Sequence, residues 1–588
     1  MTGGSTGRGG STFSCATPPS FTTTDPLFPL QWYIRNTGQS AYSVFAGHAN
    51  EDIHLCGPGT PRGAGVTVAV VDSGAEASHE DLTNIDITGG GTTSHNFFTG
   101  TSDPTTAETV VDGDHGTSVS GIITAPDNGK GINGIAAAAK LVVYNFLGFG
   151  VVQDGPTEAS SLGGDTYSEG AWLFNQSWGV PVADAITLAD VNADSEGNYQ
   201  EGVNNLRTSK GAIYVKAAGN GFFQNYAYFF PRYYQCPNAQ LTCQNANMDP
   251  YNALPYQIVV GATNAKGAKS SYSTTGSALW VSAPGGEFGL NYVDEHYPRS
   301  VYPNYAYEPA IVTTDQAGCI AGYSWSDAAA NLFDDGAVPE NINCNYTSTF
   351  NGTSSATPVT SGVVALMLGV NPALTWRDVK HILAATSEQV DAGFTEIRVL
   401  LGNGYYVAEP AWITNGADYH FHNWYGFGRV HAHAALAMAN PATWTPNGFG
   451  GSTSHDAFVD SGYLPAVVTS AEIPDNSTVG ATGSVNLDAA AIGVDFIEAV
   501  QIQVDITHAF PGDVGIELTS PSGTRSVLLN IRNAFGRSDL NIVDWAPLSN
   551  AFYGENPDGT WTLKVVDGMP EDAGVLNSWS IRIFGHAE

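Results

Sequence analysis

The chain has 588 residues, 42% hydrophobic and only 13% charged, with 68 glycines; this is the composition of loop-rich globular domains and excludes a disordered chain. Against 56 acidic residues stand 21 basic ones, a formal net charge of −35, which repels nucleic-acid phosphates and anionic membranes and excludes both as expected partners, while it attracts cations. The six cysteines (Cys15, Cys56, Cys236, Cys243, Cys319 and Cys344) form no CxxC pair, so zinc and thioredoxin-like chemistry are not expected and disulfides in an oxidising compartment are.

The first twelve residues are rich in glycine and serine and lack an apolar h-region. No signal peptide is read there, and the cysteines favour a processed form of a secreted chain. Residues 1–24 are expected to be an N-terminal extension. From Gly63 to about Asn440, short apolar runs alternate with helical patterns. Val66–Val71, Leu141–Phe146, Ala212–Ala217 and Gln257–Val260 are continuous apolar strands of the kind buried on both faces of a parallel sheet. Thr360–Gly369 is an apolar, small-residue helix, and Thr375 is the N-cap of another. Residues 25–445 are therefore predicted to form one α/β domain with a mainly parallel sheet. The stretch from Glu388 to Asn423 fits no clear pattern and reads as an insertion. Residues 446–454 read as a Gly/Ser/Thr linker. Beyond it, residues 455–588 contain short alternating strands at 500–506, 514–520, 560–567 and 579–585, which predict an antiparallel β-sandwich. No apolar run is long enough to predict a membrane span.

Serine is a poor nucleophile unless an imidazole takes its proton, and the imidazole needs a carboxylate to fix its tautomer. Three local signatures supply these groups. Asp72 ends the strand VAVVD. His115 sits in DGDHGTSVSG, where small residues allow a helix to start close to the sheet. Ser354 sits in NGTSSATP at the opening of the apolar helix. Asn220, in KAAGNG, adds a side-chain amide that, with the Ser354 N–H, donates to a developing oxyanion. Singly, such motifs are ordinary turns and surface groups; their order, each at a strand or helix end, carries the reading. The SLGG of Ser161–Gly164 is assigned no role, and the substrate-binding strand is placed at NQSWG, with Ser177, Trp178 and Gly179.

As a set these motifs resemble the subtilisin superfamily. The resemblance covers about residues 20–440. Thr24–Gly38 and Tyr425–Ala437 are similar to the beginning and closing helix of the kexin/furin branch. Most of residues 455–588, including HAFPGDVGIELTSPSGTRSVLL and DGTWTLKVVDGMPEDAGVLNSWSIRIFG, resembles the P domain of that branch, a jelly-roll-like sandwich. The resemblance implies a serine endopeptidase, secreted and extracellular, as in bacterial kexin-like proteases. It would act on protein or peptide substrates as a monomer, and would fold with a propeptide or dedicated chaperone.

It also implies a structural Ca²⁺ that ties the N-terminal segment to the core, held by Asp25, Asp81, the Asn128 side chain and the carbonyls of Pro126, Lys130 and Ile132. Asp249, in MDPYNALPYQIVV, matches the aspartate at the base of the kexin S1 pocket and implies a preference for Lys or Arg at P1; an Asp before Pro is otherwise a turn former. The sequence departs from the dibasic pattern elsewhere. Ser73 stands where that branch has a second acid beside the triad aspartate, and Val180-Pro181-Val182 replaces its acidic stretch, with Asp184 further on. A broad digestive protease is the first alternative and an inactive scaffold that binds partners through its sandwich is the second. Sequence proximity pairs Cys15 with Cys56, Cys236 with Cys243 and Cys319 with Cys344.

Overall fold

The computed structural model describes residues 23–55, 62–106, 113–180, 193–223, 236, 239–290, 307–325, 331–442, 444, 457–465, 467–535 and 541–587. The expected Cys15–Cys56 pair, the linker at 446–454 and residues Pro181, Val182 and Asp184 involve positions outside these segments. The other two pairs form as proximity predicts, Cys236–Cys243 and Cys319–Cys344.

Seven parallel strands make the first domain's sheet: β1 (Thr67–Asp72), β2 (His95–Asn96), β3 (Lys140–Asn145), β4 (Leu173–Gln176), β5 (Ile213–Ala217), β6 (Gln257–Thr263) and β7 (Val281–Pro284), in the order β2-β3-β1-β4-β5-β6-β7. Residues of β4, β5, β6 and β7 are buried without exception, because helices cover both faces and the apolar runs need not alternate. Helix α1 (Gly113–Thr124) packs against α2 (Thr353–Val370). The second of these is long and apolar enough to cross a membrane, yet it is buried as the central core helix. It begins seven residues earlier than the apolar run starting at Thr360 suggests, at the polar segment TSSATP. Helix α3 (Trp376–Thr386) starts with the capping box of Thr375 and Asp378, which satisfies two backbone N–H groups.

An antiparallel pair, β8 (Ile311–Thr314) and β9 (Tyr346–Phe350), lies beside α1. The patternless stretch after Glu388 holds two hairpins: β10 (Ile397–Leu401) with β11 (Gly404–Glu409), and β12 (Ile413–Thr414) with β13 (His420–Phe421). In the first, Val399, Leu401, Tyr406 and Ala408 are buried against Ile531 and Val566 of the C-terminal domain. One strand's worth of alternation was too short to read, and its apolar partner is remote in sequence. Helix α4 (Ala432–Ala439) closes the first domain.

The second domain is a sandwich of two antiparallel sheets. One has β14 (Val459–Asp460), β23 (Gly574–His586), β17 (Phe496–His508) and β20 (Ile542–Trp545) in order, with β15 (Val467–Ile473) also on β23 and β21 (Leu548–Ser549) also on β17. The other has the order β16 (Ser477–Leu487), β22 (Gly559–Asp567), β18 (Val514–Thr519) and β19 (Arg525–Leu529). Ile502, Val504, Ile516, Leu518, Trp561, Leu563, Trp579 and Ile581 fill the space between them.

The two domains share core. Met248 of the first joins the sandwich cluster, and Ala551 and Tyr553 of the second join the α/β cluster, with Tyr553 edge-on to Trp280 at 5.3 Å between centroids. Several polar side chains buried there pair across the contact. The Asn247 amide donates to the carbonyls of Leu528 and Leu548 (3.1 Å each) and accepts from Leu548 N (2.9 Å). Arg377 of α3 donates from Nε to both Glu498 oxygens of β17 (3.0 Å each), and His586 Nδ1 lies 2.8 Å from the same carboxylate.

Candidate active site

The site lies at the carboxyl ends of the central parallel strands, where chains leaving adjacent strands part and expose their backbone. Asp72, the last residue of β1, is wholly buried; its Oδ1 is 2.8 Å from His115 Nδ1. A carboxylate only accepts, so the proton of this bond sits on Nδ1. The same Oδ1 accepts from Ser73 N at 2.7 Å, and Ser73 Oγ accepts from Gly116 N at 3.2 Å. Ser73, the departure from the dibasic pattern, is thus buried in the joint that aligns β1 with α1. A Cβ at Gly116 would come 1.9 Å from Gly74 O, so only glycine lets α1 approach this closely. Phe350, at the end of β9 just before Ser354, meets the His115 ring edge-on at 5.5 Å.

Ser354 is in the first turn of α2. Its carbonyl would ordinarily accept from the N–H of residue 358, but that residue is Pro358, which has none. Ser177 Oγ donates to this carbonyl instead, at 2.9 Å, and Ser354 Oγ donates to Ser177 O at 3.0 Å. The reciprocal pair ties the nominated substrate strand to the helix start. Ser177 is itself held by Asn175 Nδ2 (2.9 Å), and Asn175 Oδ1 accepts from Ser361 Oγ (2.8 Å). Trp178 is pinned by Nε1 donating to Val71 O at 3.0 Å.

Asn220 follows β5. Its Oδ1 accepts from both Thr353 N (2.8 Å) and Thr353 Oγ1 (3.0 Å), which turns Nδ2 the other way. Between Asn220 and Ser354 stands Gly352, with φ +102°; a Cβ there would be 3.2 Å from Asn220 Nδ2 and 3.4 Å from Ser354 N. Two donors therefore face one small volume that a glycine keeps open. Ser354 N lies in the first turn of its helix, where no internal acceptor exists. Tyr272 fixes this turn: Gly352 N donates to its hydroxyl at 2.8 Å, and the hydroxyl reaches Gly285 O at 2.8 Å. Burial above all, then Glu287, pushes its ionisation far above the ordinary tyrosine value, so it keeps its proton. Tyr272 carries no local signature and escapes a motif reading, and Thr353 lies inside NGTSSATP without announcing this role.

Asp249 lies beneath Gly179, whose Cβ would come 2.7 Å from Asp249 Oδ2. The carboxylate is already engaged. Lys216 Nζ donates to Oδ2 at 2.7 Å, Val180 N donates to Oδ2 at 3.2 Å, and Tyr251 N donates to Oδ1 at 3.0 Å. Lys216 interrupts the apolar strand AIYVKA, and a buried lysine demands a carboxylate, though nothing in the strand says which one.

Asp25 and Asp81 converge on the loop 126–132. Asp25 Oδ1 accepts from Gly129 N (2.8 Å) and Asn128 N (3.2 Å), and Asp81 Oδ2 accepts from Ile132 N (2.9 Å). Asn128 Oδ1 accepts from Lys130 N at 2.9 Å, and Pro126 begins the same loop. Asp81 Oδ1 is buried with no hydrogen-bond partner. Burial first, and then the neighbouring Asp25, push the Asp81 carboxyl up to about 7. Among the described residues no three His, Cys, Asp or Glu side chains converge on a point, so a cation placed here would need amide and carbonyl oxygens as well.

Residues 63–428 match the model of the subtilase family, and residues 497–583 match the proprotein convertase P-domain. The chain belongs to the subtilase family. It is a serine protease with a P domain. This subtilase is 33% identical over 612 residues to the Aeromonas extracellular serine protease of Aeromonas sobria, across 96% of this chain and 91% of that one. It is 27% identical to the calcium-dependent protease of Trichormus variabilis, across 95% of this chain and 71% of that one. Its fold superposes on the crystal structure of the Aeromonas sobria serine protease in complex with the chaperone ORF2, with a TM-score of 0.81, 31% identity and 96% of each chain covered.

Proposed function

We propose that this subtilase is a secreted endopeptidase in which Ser354 is the nucleophile, His115 the general base and acid, and Asp72 the group that orients it. The 2.8 Å bond between His115 Nδ1 and Asp72 Oδ1 carries the reading, because it is the orienting bond that leaves Nε2 as the atom to take the serine proton. For attack, Ser354 Oγ leaves Ser177 O and gives its hydrogen bond to His115 Nε2, as catalytic hydrogen bonds tighten only when substrate is bound. Its oxygen attacks the scissile carbonyl carbon while Nε2 takes its proton. The oxyanion receives hydrogen bonds from Asn220 Nδ2 and Ser354 N. The intermediate collapses as His115 protonates the leaving amine, and water releases the acyl-enzyme by the same steps in reverse. Stoichiometric labelling of Ser354 by a fluorophosphonate tests this; a folded sample that takes no label overturns it in favour of the scaffold reading.

The oxyanion role makes its own prediction. Asn220→Ala lowers kcat by about 10²–10³-fold with little change in KM. An equal rise in KM at constant kcat would make Asn220 a substrate-binding group instead.

Calcium fits the pocket of Asp25, Asp81 and Asn128, since the orphaned Asp81 oxygen and two facing carboxylates ask for a hard cation, and the Trichormus relative is named for calcium dependence. The ion would hold residues 25–30 to the core. Removing it with a chelator lowers Tm by on the order of 10 °C, the loss of a tightly bound ligand at excess; an unchanged Tm rules the site out. Secretion is supported by two disulfides and by a relative named as an extracellular serine protease. A dedicated folding chaperone is supported by the one bound to the Aeromonas enzyme.

At P1 two readings compete. Kinship with kexin makes Asp249 a receptor for Lys or Arg; the ion pair between Asp249 and Lys216 favours the broader specificity.

A further inference from the structure

We propose that Lys216 sets the P1 specificity of this protease by supplying Asp249 with a resident counter-ion, so that the pocket selects uncharged side chains. The inference rests on the reading of Ser354, His115 and Asp72 as the catalytic groups. Segments 177–180 and 218–220 leave the carboxyl ends of the adjacent strands β4 and β5, and a P1 side chain enters between them toward Gly179. Asp249 is the acid directly behind that glycine.

A guest lysine or arginine is recognised in such a pocket when its charge is the one that a buried carboxylate lacks. This carboxylate does not lack one. Lys216 reaches it from β5 beneath the substrate strand, with its side chain 0% exposed against 11% for that of Asp249. Its ammonium also donates to Trp178 O (3.1 Å), Asn252 Oδ1 (3.1 Å) and Ala217 O (3.3 Å), and lies 5.6 Å from the centre of the Trp178 ring. Three N–H donors are shared among four acceptors, so the ammonium has no donor to spare for an acidic P1 group either. Both Asp249 oxygens are likewise occupied, by Lys216, Val180 N and Tyr251 N. Glu158, the other carboxylate bordering Tyr251, accepts from Ser195 Oγ, and burial raises its pKa. Among the described residues, a guest cation that reached Asp249 would be desolvated beside an ammonium that already matches this carboxylate. The Lys216–Asp249 pair is neutral as a unit, and a neutral guest fits beside it.

The test compares kcat/KM on peptides that differ only at P1, carrying Lys, Arg, Gln, Leu, Phe or Glu, with the full chain. The wild-type enzyme should favour the best uncharged residue over Lys and Arg by at least tenfold, and a preference for Lys or Arg overturns the proposal. Lys216→Met unmasks Asp249 and should raise the Lys and Arg values by at least tenfold relative to Leu; an unchanged ratio in folded enzyme also overturns it. Should that variant fail to fold, Asp249→Asn serves instead. It leaves the ammonium unmatched and should admit Glu at P1, whereas a hundredfold loss on Lys and Arg would show that Asp249 was their receptor. Fluorophosphonate labelling of the same samples separates the two levels. Labelled enzyme that prefers basic P1 overturns the role of Lys216 alone, and the absence of label overturns the protease reading with it.

Discussion

Ser354→Ala should lower kcat on a good peptide substrate by about a millionfold and leave KM within a few-fold. The reason is the chain of dependence in the site. Without Oγ there is no covalent step, and the proton that His115 would take and return has no source. His115→Ala should cost about as much, and the double variant little more than either single one, because the two groups act as a unit. Asp72→Asn should cost about 10⁴-fold, since an amide opposite Nδ1 favours the wrong imidazole tautomer. The residual rate should still exceed that in water, because Asn220 Nδ2 and Ser354 N continue to face the space above Gly352. Steady-state kinetics on contamination-free protein measures all four. A Ser354→Ala enzyme that kept a hundredth of its activity would remove Ser354 from the mechanism.

Truncation after Asn440, which removes the sandwich, should abolish soluble active enzyme altogether. The interface is built like a domain core rather than a contact between finished surfaces. Tyr553 and Ala551 fill the α/β cluster, and Met248 fills the sandwich. Removing the sandwich strips Asn247 of every partner on its side chain supplied by Leu528 and Leu548, two residues from Asp249. It also leaves Arg377 a buried cation without its carboxylate. Breaking a buried pair from one side costs about 3–5 kcal/mol, a large part of what a domain has to spare. Arg377→Met is the milder version and should lower stability by that amount without touching the catalytic groups. Acid should weaken the same joint. Burial works to raise the Glu498 carboxyl, but Arg377 and His586 beside it hold it down at about 2, below the ordinary 4.5. A carboxylate whose pKa is depressed on folding contributes stability that is complete above its unfolded value and is lost as pH falls toward the folded one; this contribution should therefore fade between about pH 4.5 and 2. Calorimetry and active-site titration of the truncated chain decide the main point, and full activity without the sandwich would contradict it.

Much of the candidate site's layout was legible because each part has a local cause. A buried apolar run ending in aspartate, glycines that let a helix start against the sheet, and TSSATP opening an apolar helix are statements about neighbours in sequence. The sandwich strands showed their period for the same reason, while the hairpin of β10 and β11 did not, being apolar only toward residues more than a hundred positions away.

The sequence by itself determined the parallel sheet, the order and placement of Asp72, His115 and Ser354, the amide of Asn220 and the two-domain plan, since secondary structure and the ends of its elements follow from local sterics and patterning. Only the tertiary structure decided how buried charges are matched: Asp249 with Lys216, Glu498 with Arg377 and His586, and Asp81 with an oxygen left unpaired. A charge taken out of water must find its partner wherever the fold brings one, and no local pattern records which residue that is.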